Sequence, residues 1–285
     1  MKFEFAAADK RPVKVIRPTR SSIEVLSAGL KSLWGHKGLL LEMTLMRLQV
    51  RYKQSLLGWS WAVFPSLLLM VTYTLVFSKV IGLESGKLPY ALFIFAALIP
   101  WTFFSTSVST ATAGIVTHRY LISRVAFPRE IIPLSYVAAA FMDLCIGMLM
   151  LAAMMYYFGF PLTLHAFYAI PILGIIIVFA VAAALCCSSL QAHFRDVGVA
   201  MPLLLQILMF TTPVVYPATA VPQSIKEIYF LNPLAILIDV FRQAAVLGIT
   251  PDARQMIYCV TVSIACLVFS YVLFKRLDTT LPDVI

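Results

Sequence analysis

FYAIPILGIIIVFAVAAALCCSSL, residues 167–190, runs for 24 positions without a charged side chain. A helix needs roughly 20 apolar residues to cross a hydrocarbon core, so this stretch can span a bilayer alone. Comparable runs lie at about 59–81, 90–114, 134–158, 199–216 and 255–274. The run at 199–216 is the shortest and holds Pro202 and Pro213. A membrane helix tolerates such prolines when neighbouring groups satisfy the freed carbonyls. The expected fold is all-α and polytopic, with six transmembrane helices.

Composition agrees. Apolar residues make up 61% of the 285, charged residues only 12%, and the mean hydropathy is +0.91. Soluble domains carry about 25% charged residues, so half the usual polar coat is missing. The net charge of +9 raises the question of nucleic acid, but the basic residues flank apolar runs instead of forming one surface. No nucleic-acid partner is expected. Cys145, Cys186, Cys187, Cys259 and Cys266 all sit inside apolar segments without C-x-x-C spacing, which suits packing and not metal or disulfide chemistry.

Lys2, Lys10, Arg11, Lys14, Arg17 and Arg20 precede any apolar segment, so no signal peptide is expected and the N-terminus should stay in the cytoplasm. With six spans and both termini inside, the cytoplasmic side holds 17 Lys and Arg and the outside holds 5. That asymmetry orients the chain.

Two regions are neither span nor plain loop. Residues 1–58 form a basic N-terminus followed by expected interfacial helices, and 59–285 the six-span transmembrane domain. Ser21 and Glu24 have capping-box spacing ahead of Ile23, Leu26, Leu30 and Leu33. After Gly35 and Gly38, a second helix is expected with Leu41, Leu45, Leu48 and Tyr52 on one stripe. Arg47, Arg51 and Gln54 lie beside it, and Leu39, Met43, Met46 and Val50 make the opposite side apolar too. Such a helix suits the membrane surface, as a protein-contacting element or as a simple anchor.

The other region is the outer segment at about 217–248. Pro217 and Pro222 end the fifth run, a short helix is expected near 223–231, and Asn232-Pro233 starts another. Leu234, Leu237, Ile238, Phe241 and Ala245 mark its apolar face, with Asp239 and Arg242 on another. At about 15 residues it is short for a crossing, so a re-entrant helix pair is expected.

The sequence contains neither the phosphate-cradling G-x-x-x-x-G-K-[ST] nor the zinc-binding H-E-x-x-H. His36, His118, His165 and His193 are scattered at run edges. Asp143 is the only acid inside a run, and it is either a proton-handling group or a carboxylate bonded within the bundle.

One set of motifs is distinctive. Val50-Arg-Tyr-Lys-Gln-Ser-Leu-Leu-Gly-Trp-Ser-Trp-Ala-Val-Phe-Pro65 leads into Tyr73-Thr-Leu-Val-Phe-Ser78. Pro100-Trp-Thr-Phe-Phe-Ser105, Phe194-Arg-Asp196, Thr212-Pro-Val-Val-Tyr216 and Asn232-Pro233 follow in order. Over roughly 40–280 this resembles the ABC-type polysaccharide and polyol-phosphate export permeases, most of all those for O-antigen, with capsule and teichoic-acid permeases as near relatives. An ABC-type exporter of a small lipid or drug is the alternative.

The resemblance implies a bacterial inner-membrane homodimer that moves lipid-linked polysaccharide through a channel lined by the first and fifth spans. Two copies of an ABC ATPase subunit would dock below, carrying ATP and Mg, so that this chain binds no cofactor and is no enzyme itself. Arg47 and Arg51 on the interface helix, Arg119, Tyr120 and Arg124 in one loop, and Phe194, Arg195 and Asp196 in another become candidates for ATPase coupling. Pro222, Asn232, Pro233, Asp239 and Arg242 become candidates for an external gate. Aromatic rings can stack on the C–H faces of sugars, which makes Tyr73, Phe77, Phe210 and Tyr216 channel candidates; a lipid-facing aromatic belt is the competing role for them. Membrane lipids are the remaining partner, attracted by the basic N-terminus.

Overall fold

Proline or glycine marks several of the helix ends in the computed structural model, which describes residues 29, 31–53, 55–56, 58–82, 88–161 and 163–278. The Ser21–Glu24 capping box, most of the helix expected behind it, and Gln54 lie outside the described residues. Helix α1 is Lys37–Tyr52 and α2 is Phe64–Tyr73, extended by a π-helical stretch Thr74–Val80. Then come α3 (Tyr90–Thr117), α4 (Arg119–Arg124), α5 (Ile131–Tyr157), α6 (Ala169–His193) and α7 (Asp196–Phe210). Helix α8 is Gln223–Tyr229, α9 is Pro233–Arg242 with a π-helical end Gln243–Leu247, and α10 is Ala253–Asp278.

Among the described residues, α3, α5, α6 with its leading turn, and α10 are long and apolar enough to cross a membrane. The first and fifth expected spans are apolar but shorter. At about 1.5 Å per residue, the 17 residues of 64–80 cover roughly 25 Å and the 15 of α7 roughly 22 Å. The expected start at 59 is instead a 3₁₀ turn, Gly58–Ala62, and α2 opens with Pro65 in its first turn, where a missing N–H costs nothing. Helix α7 stops at Phe210, three residues before Pro213, and 211–216 continue as turns and bends.

Two helices form in the outer segment. Asn232 caps α9, its Oδ1 accepting from the Leu234 N–H at 3.1 Å with Pro233 in the first turn. Helices α8 and α9 meet at 101°.

Helix α3 is central, packing on α2, α5, α6, α7 and α9, while α6 also packs on α10. Small residues permit the closest approaches: a Cβ on Gly114 would sit 2.6 Å from the Tyr136 ring of α5. Ile115, Leu185, Ala192, Tyr271 and Phe274 form one cluster, so α3, α6 and α10 end together. Helix α5 starts at that same end, because the Tyr136 ring lies against Gly114. The opposite end gathers Tyr90 with Val215 and Tyr258 with Leu231. Arg119, Arg124, Arg129, Arg195, Lys275 and Arg276 all belong to the first, basic end.

That basic end holds a lock that the sequence pattern gave no sign of. Glu130 is 0% exposed, and its carboxylate accepts from Lys275 Nζ at 2.7 Å and from the Tyr271 hydroxyl at 3.3 Å. Next to it, Arg129 binds the Asp278 carboxylate at 3.2 Å and its backbone oxygen at 2.8 Å. The segment after α4 is thereby pinned to the end of α10. Gly29 packs under the same Tyr271, where any Cβ would fall 1.5 Å from the hydroxyl. We expect Glu130→Gln to destabilise the protein by on the order of 3 kcal/mol, the low end for a broken buried pair, since Lys275 keeps some exposure. Glu130→Gln with Lys275→Met should recover most of the loss. Thermal unfolding in detergent checks both, and an unchanged midpoint for the single variant would contradict the lock.

Candidate functional site

The coupling candidates divide into two groups. Arg119, Tyr120 and Arg124 are exposed on α4, with the Arg119 guanidinium 5.0 Å from the Tyr120 ring. Phe194, Arg195 and Asp196 are exposed where α6 turns tightly into α7, and Phe194 is 63% accessible. Asp196 opens α7, where the helix dipole favours a negative charge. The structure thus leaves these six at the basic end with their side chains available.

Arg47 and Arg51 are placed differently. Both reach α5, Arg47 half-buried and Arg51 still exposed. Met43 packs with Ile131 and Ile132, Arg47 Nε donates to the Ser135 hydroxyl at 2.8 Å, and its guanidinium lies 3.3 Å from the Tyr136 ring centre. Further along, Leu48 and Tyr52 pack with Ala139. Arg51 Nη1 and the Tyr52 hydroxyl donate to the two oxygens of Asp143, each at 2.5 Å. Contacts advance together along both helices, so α1 climbs beside the first half of α5 in the same direction. Eight residues of register amount to about 12 Å.

Neither apolar stripe read from the sequence is the buried one. The buried face takes Met43, Thr44, Leu48 and Tyr52, drawn partly from each stripe, while Leu41, Leu45, Met46 and Val50 are exposed. Asp143 accordingly serves as a docking point, answered by two donors from one helix turn. Burial, and then the bond to Asp143, push the Tyr52 phenol up to about 12, so it remains a donor at physiological pH.

At the other end, Arg242 is 3% exposed. Its Nη1 donates to the Pro213 carbonyl at 3.0 Å, its Nη2 pairs with Asp239, and its guanidinium lies 3.9 Å from the Phe93 ring centre. Gln243 Nε2 supplies Asp239 with a second donor at 2.7 Å, and the Tyr90 hydroxyl donates to the Val215 carbonyl at 2.6 Å. Two carbonyls of the unwound segment 211–216, those of Pro213 and Val215, are thereby answered by side chains, as non-helical backbone inside an apolar protein favours. This corrects the amphipathic reading of α9, since Arg242 points inward and almost every position from Pro233 to Arg242 is buried. Asn232 and Pro233 form the hinge of the bent pair, and Pro222 is exposed just before α8.

The aromatic candidates fall into two pairs. Tyr73 and Phe77 meet edge to face at 6.0 Å, and the Tyr73 hydroxyl reaches the Met209 sulfur at 4.0 Å, which sets α2 against α7. Tyr216 donates to the Phe210 carbonyl at 2.7 Å, and its ring lies 6.4 Å from Tyr229 of α8. Phe210 is exposed, whereas Tyr73, Phe77 and Tyr216 are half-buried. Glu130 and Phe93 were not singled out from sequence, since each acts across a gap in the chain that a local pattern does not register. Among the described residues, no group of three or more His, Cys, Asp or Glu is placed to hold a metal ion.

The profile of the ABC-2 type transporter family matches residues 39–246, from the start of α1 through the π-helical end of α9. The chain belongs to the ABC-2 type transporter family. Among curated proteins, this ABC-2 permease is similar to the O-antigen export system permease protein RfbA of Myxococcus xanthus, with 29% identity over 240 residues. That match covers 83% of this chain and 91% of the relative. A protein of the same name from Klebsiella pneumoniae is 28% identical over 212 residues, 74% of this chain and 81% of that one. The resemblance read from the sequence is thus backed by similarity over most of the chain. It is a membrane permease subunit of the ABC-2 exporter type, with several apolar helices and no catalytic role of its own implied by the family.

For this permease the Arg242 cluster generates a direct test. Lys keeps the charge but cannot bond Pro213 and Asp239 at once while lying flat on Phe93. We expect Arg242→Lys to raise backbone hydrogen exchange in 211–216 about ten-fold or more, as the loss of one charge-assisted bond would. Exchange in α3 and α6 should stay unchanged. Mass spectrometry of the exchanged protein measures this, and parental protection of 211–216 would contradict the role given to Arg242.

Proposed function

We propose that the chain is the transmembrane subunit of an ATP-driven exporter moving lipid-linked polysaccharide of the O-antigen kind across a bacterial inner membrane. Two copies form the channel between them, and two copies of a separate ABC ATPase, carrying ATP and Mg, dock at the basic end. The observation that carries this reading is the similarity to O-antigen export permeases over at least 70% of this chain and at least 77% of each relative.

The geometry supports it in three respects. Helices α2 and α7 complete six crossings if the turns flanking them count towards the width of the bilayer. Their outward sides are apolar and exposed at Leu68, Val71 and Leu75 and at Leu203, Leu204 and Ile207, a surface suited to a second copy and to lipid. The bent pair α8–α9 is too short on either limb for a crossing and returns to the outer face, which keeps Lys275 and Arg276 on the cytoplasmic side with both termini. Tyr73, Phe77, Phe210 and Tyr216 stand on the elements that would line the channel and give sugar rings a surface to slide on.

Force enters at the loops of the basic end. Phe194 fills an apolar pocket of the ATPase, Arg195 and Asp196 orient the contact, and Arg119, Tyr120 and Arg124 on α4 form its second half. Arg47 and Arg51 act one step behind, holding α1 to α5. Truncating an interface anchor costs about 2 kcal/mol, so Phe194→Ala should weaken ATPase docking roughly 30-fold. Arg195→Lys, which satisfies the charge rule of membrane topology, should still reduce export because an ammonium lacks the planar fork. Surface polysaccharide and ATPase co-purification at matched permease levels report both. Normal values in the double variant would end the coupling assignment.

A further inference from the structure

Helix α5 is 27 residues long, about 40 Å, close to the full depth of a bilayer with its headgroups. Its last turn therefore leaves the hydrocarbon and enters the headgroup layer at the end opposite the basic one. It finishes on Tyr156 and Tyr157, both exposed, and Gly159 at φ +75° turns the chain towards α6. No Asp, Glu, Lys or Arg occurs between Asp143 and Arg195, whereas the neighbouring outer segment and the start of α10 carry Lys226, Glu227, Asp252 and Arg254.

The connection from α5 to α6 has two sides. Inward, Phe158 and Phe160 pack on the main core, and the 3₁₀ turn Leu164–Tyr168 lies against the π-helical end of α9, Gln243–Leu247. Gly248 closes that end in the left-handed region, at φ +66°. A Cβ on Gly248 would fall 2.8 Å from the Thr163 hydroxyl, so the connection is seated on the pivot where the chain leaves α9 for α10. Outward, Leu164 is 83% exposed and Phe167 67%, with Tyr168 and Ile170 beside them.

Three occupants compete for this outward side: water, a second copy and lipid. An apolar face of this size without a charge is costly in water. The face also continues an exposed stripe of α5, Met142, Cys145, Leu149, Ala153 and Tyr156, whose helical spacing is that of a lipid-facing side. The surface suited to a second copy belongs to other helices, α2 and α7. Tyrosine at the top of the stripe has the amphipathic ring that membrane–water interfaces favour. Lipid is the occupant that matches both the continuity and the missing charge.

We propose that Tyr156, Tyr157, Leu164 and Phe167 form a lipid anchor in the headgroup layer, which fixes the depth of the α9–α10 pivot and makes it respond to bilayer thickness. The inference needs only that the chain spans a bilayer. Its test uses neither ATPase nor transport, so its failure leaves the export reading standing. Leu164→Cys, Phe167→Cys and Glu227→Cys, each alone on a background without the native cysteines, carry a nitroxide in phosphatidylcholine nanodiscs. Labels at 164 and 167 should collide more with oxygen, which concentrates in the bilayer, and the label at 227 more with a water-soluble nickel chelate. A preference for nickel at 164 and 167 would place them in water, and collision with neither would place them against protein. Either result would overturn the anchor. Hydrogen exchange of 243–250 is then compared in dimyristoyl and dieicosenoyl lipids. The parent should differ several-fold between the two, the scale on which mismatch shifts a local opening equilibrium. Leu164→Ser with Phe167→Ser should abolish the difference, and Phe167→Leu, which keeps the apolar side chain, should retain it. Exchange independent of thickness in the parent, or unaltered dependence in the double variant, would contradict the proposal.

Discussion

A buried guanidinium joins the parts of this molecule that would otherwise move separately. Arg242 takes the Pro213 carbonyl where α7 has unwound, the Asp239 carboxylate one turn back on α9, and the Phe93 ring of the central helix. Burying a cation is costly unless its charge and its donors are both answered, and here one side chain meets both demands. Its planar fork is what allows two different acceptors and a ring face to be served together. Without it, the Pro213 carbonyl would be left bare inside the bundle, and Asp239 would keep only Gln243 as a donor.

From that point the contacts are continuous to the far end of the molecule. Helix α9 is tied to α10 through Cys259 and the Pro233 carbonyl, and the turn before it through Tyr258 and the Leu231 carbonyl. Helix α10 runs 26 residues, about 39 Å, and near its end Lys275 meets Glu130, which closes the loop behind α4. The segment read as the coupling loop and the hinge read as the outer gate therefore sit at opposite ends of one stiff rod. Dense packing of α10 on α6 resists its bending, so displacement at one end is carried along the axis.

Much of this was legible in the amino-acid order, for identifiable reasons. Apolar runs of membrane length report helices directly, since backbone groups in hydrocarbon have no other way to be satisfied. The α9 start was legible because Asn232-Pro233 combines a cap with a residue suited to the first turn. Side-chain direction was not. Leu41 and Leu45 formed a convincing stripe, yet α1 turns them outward because Arg47, Arg51 and Tyr52 find Ser135, Tyr136 and Asp143 some ninety residues away. Arg242 looked like a solvated charge until its partners on three other segments were in place. In an apolar protein, rotation about a helix axis is decided by the few polar contacts, and those are long-range.

Under the proposed function, the permease receives force at its basic face and opens a path at the other. The arrangement depends on α8 and α9 returning to the face they left. Single cysteines at 194, 226 and 250, on a background with the five native cysteines replaced, test this through labelling by an impermeant thiol reagent in intact and opened cells. The account predicts that positions 226 and 250 react in intact outer-membrane-permeabilised cells, and that 194 reacts only once the inner membrane is opened. Labelling of 226 from outside and of 250 only from inside would mean that the bent pair crosses the membrane, and would contradict the account.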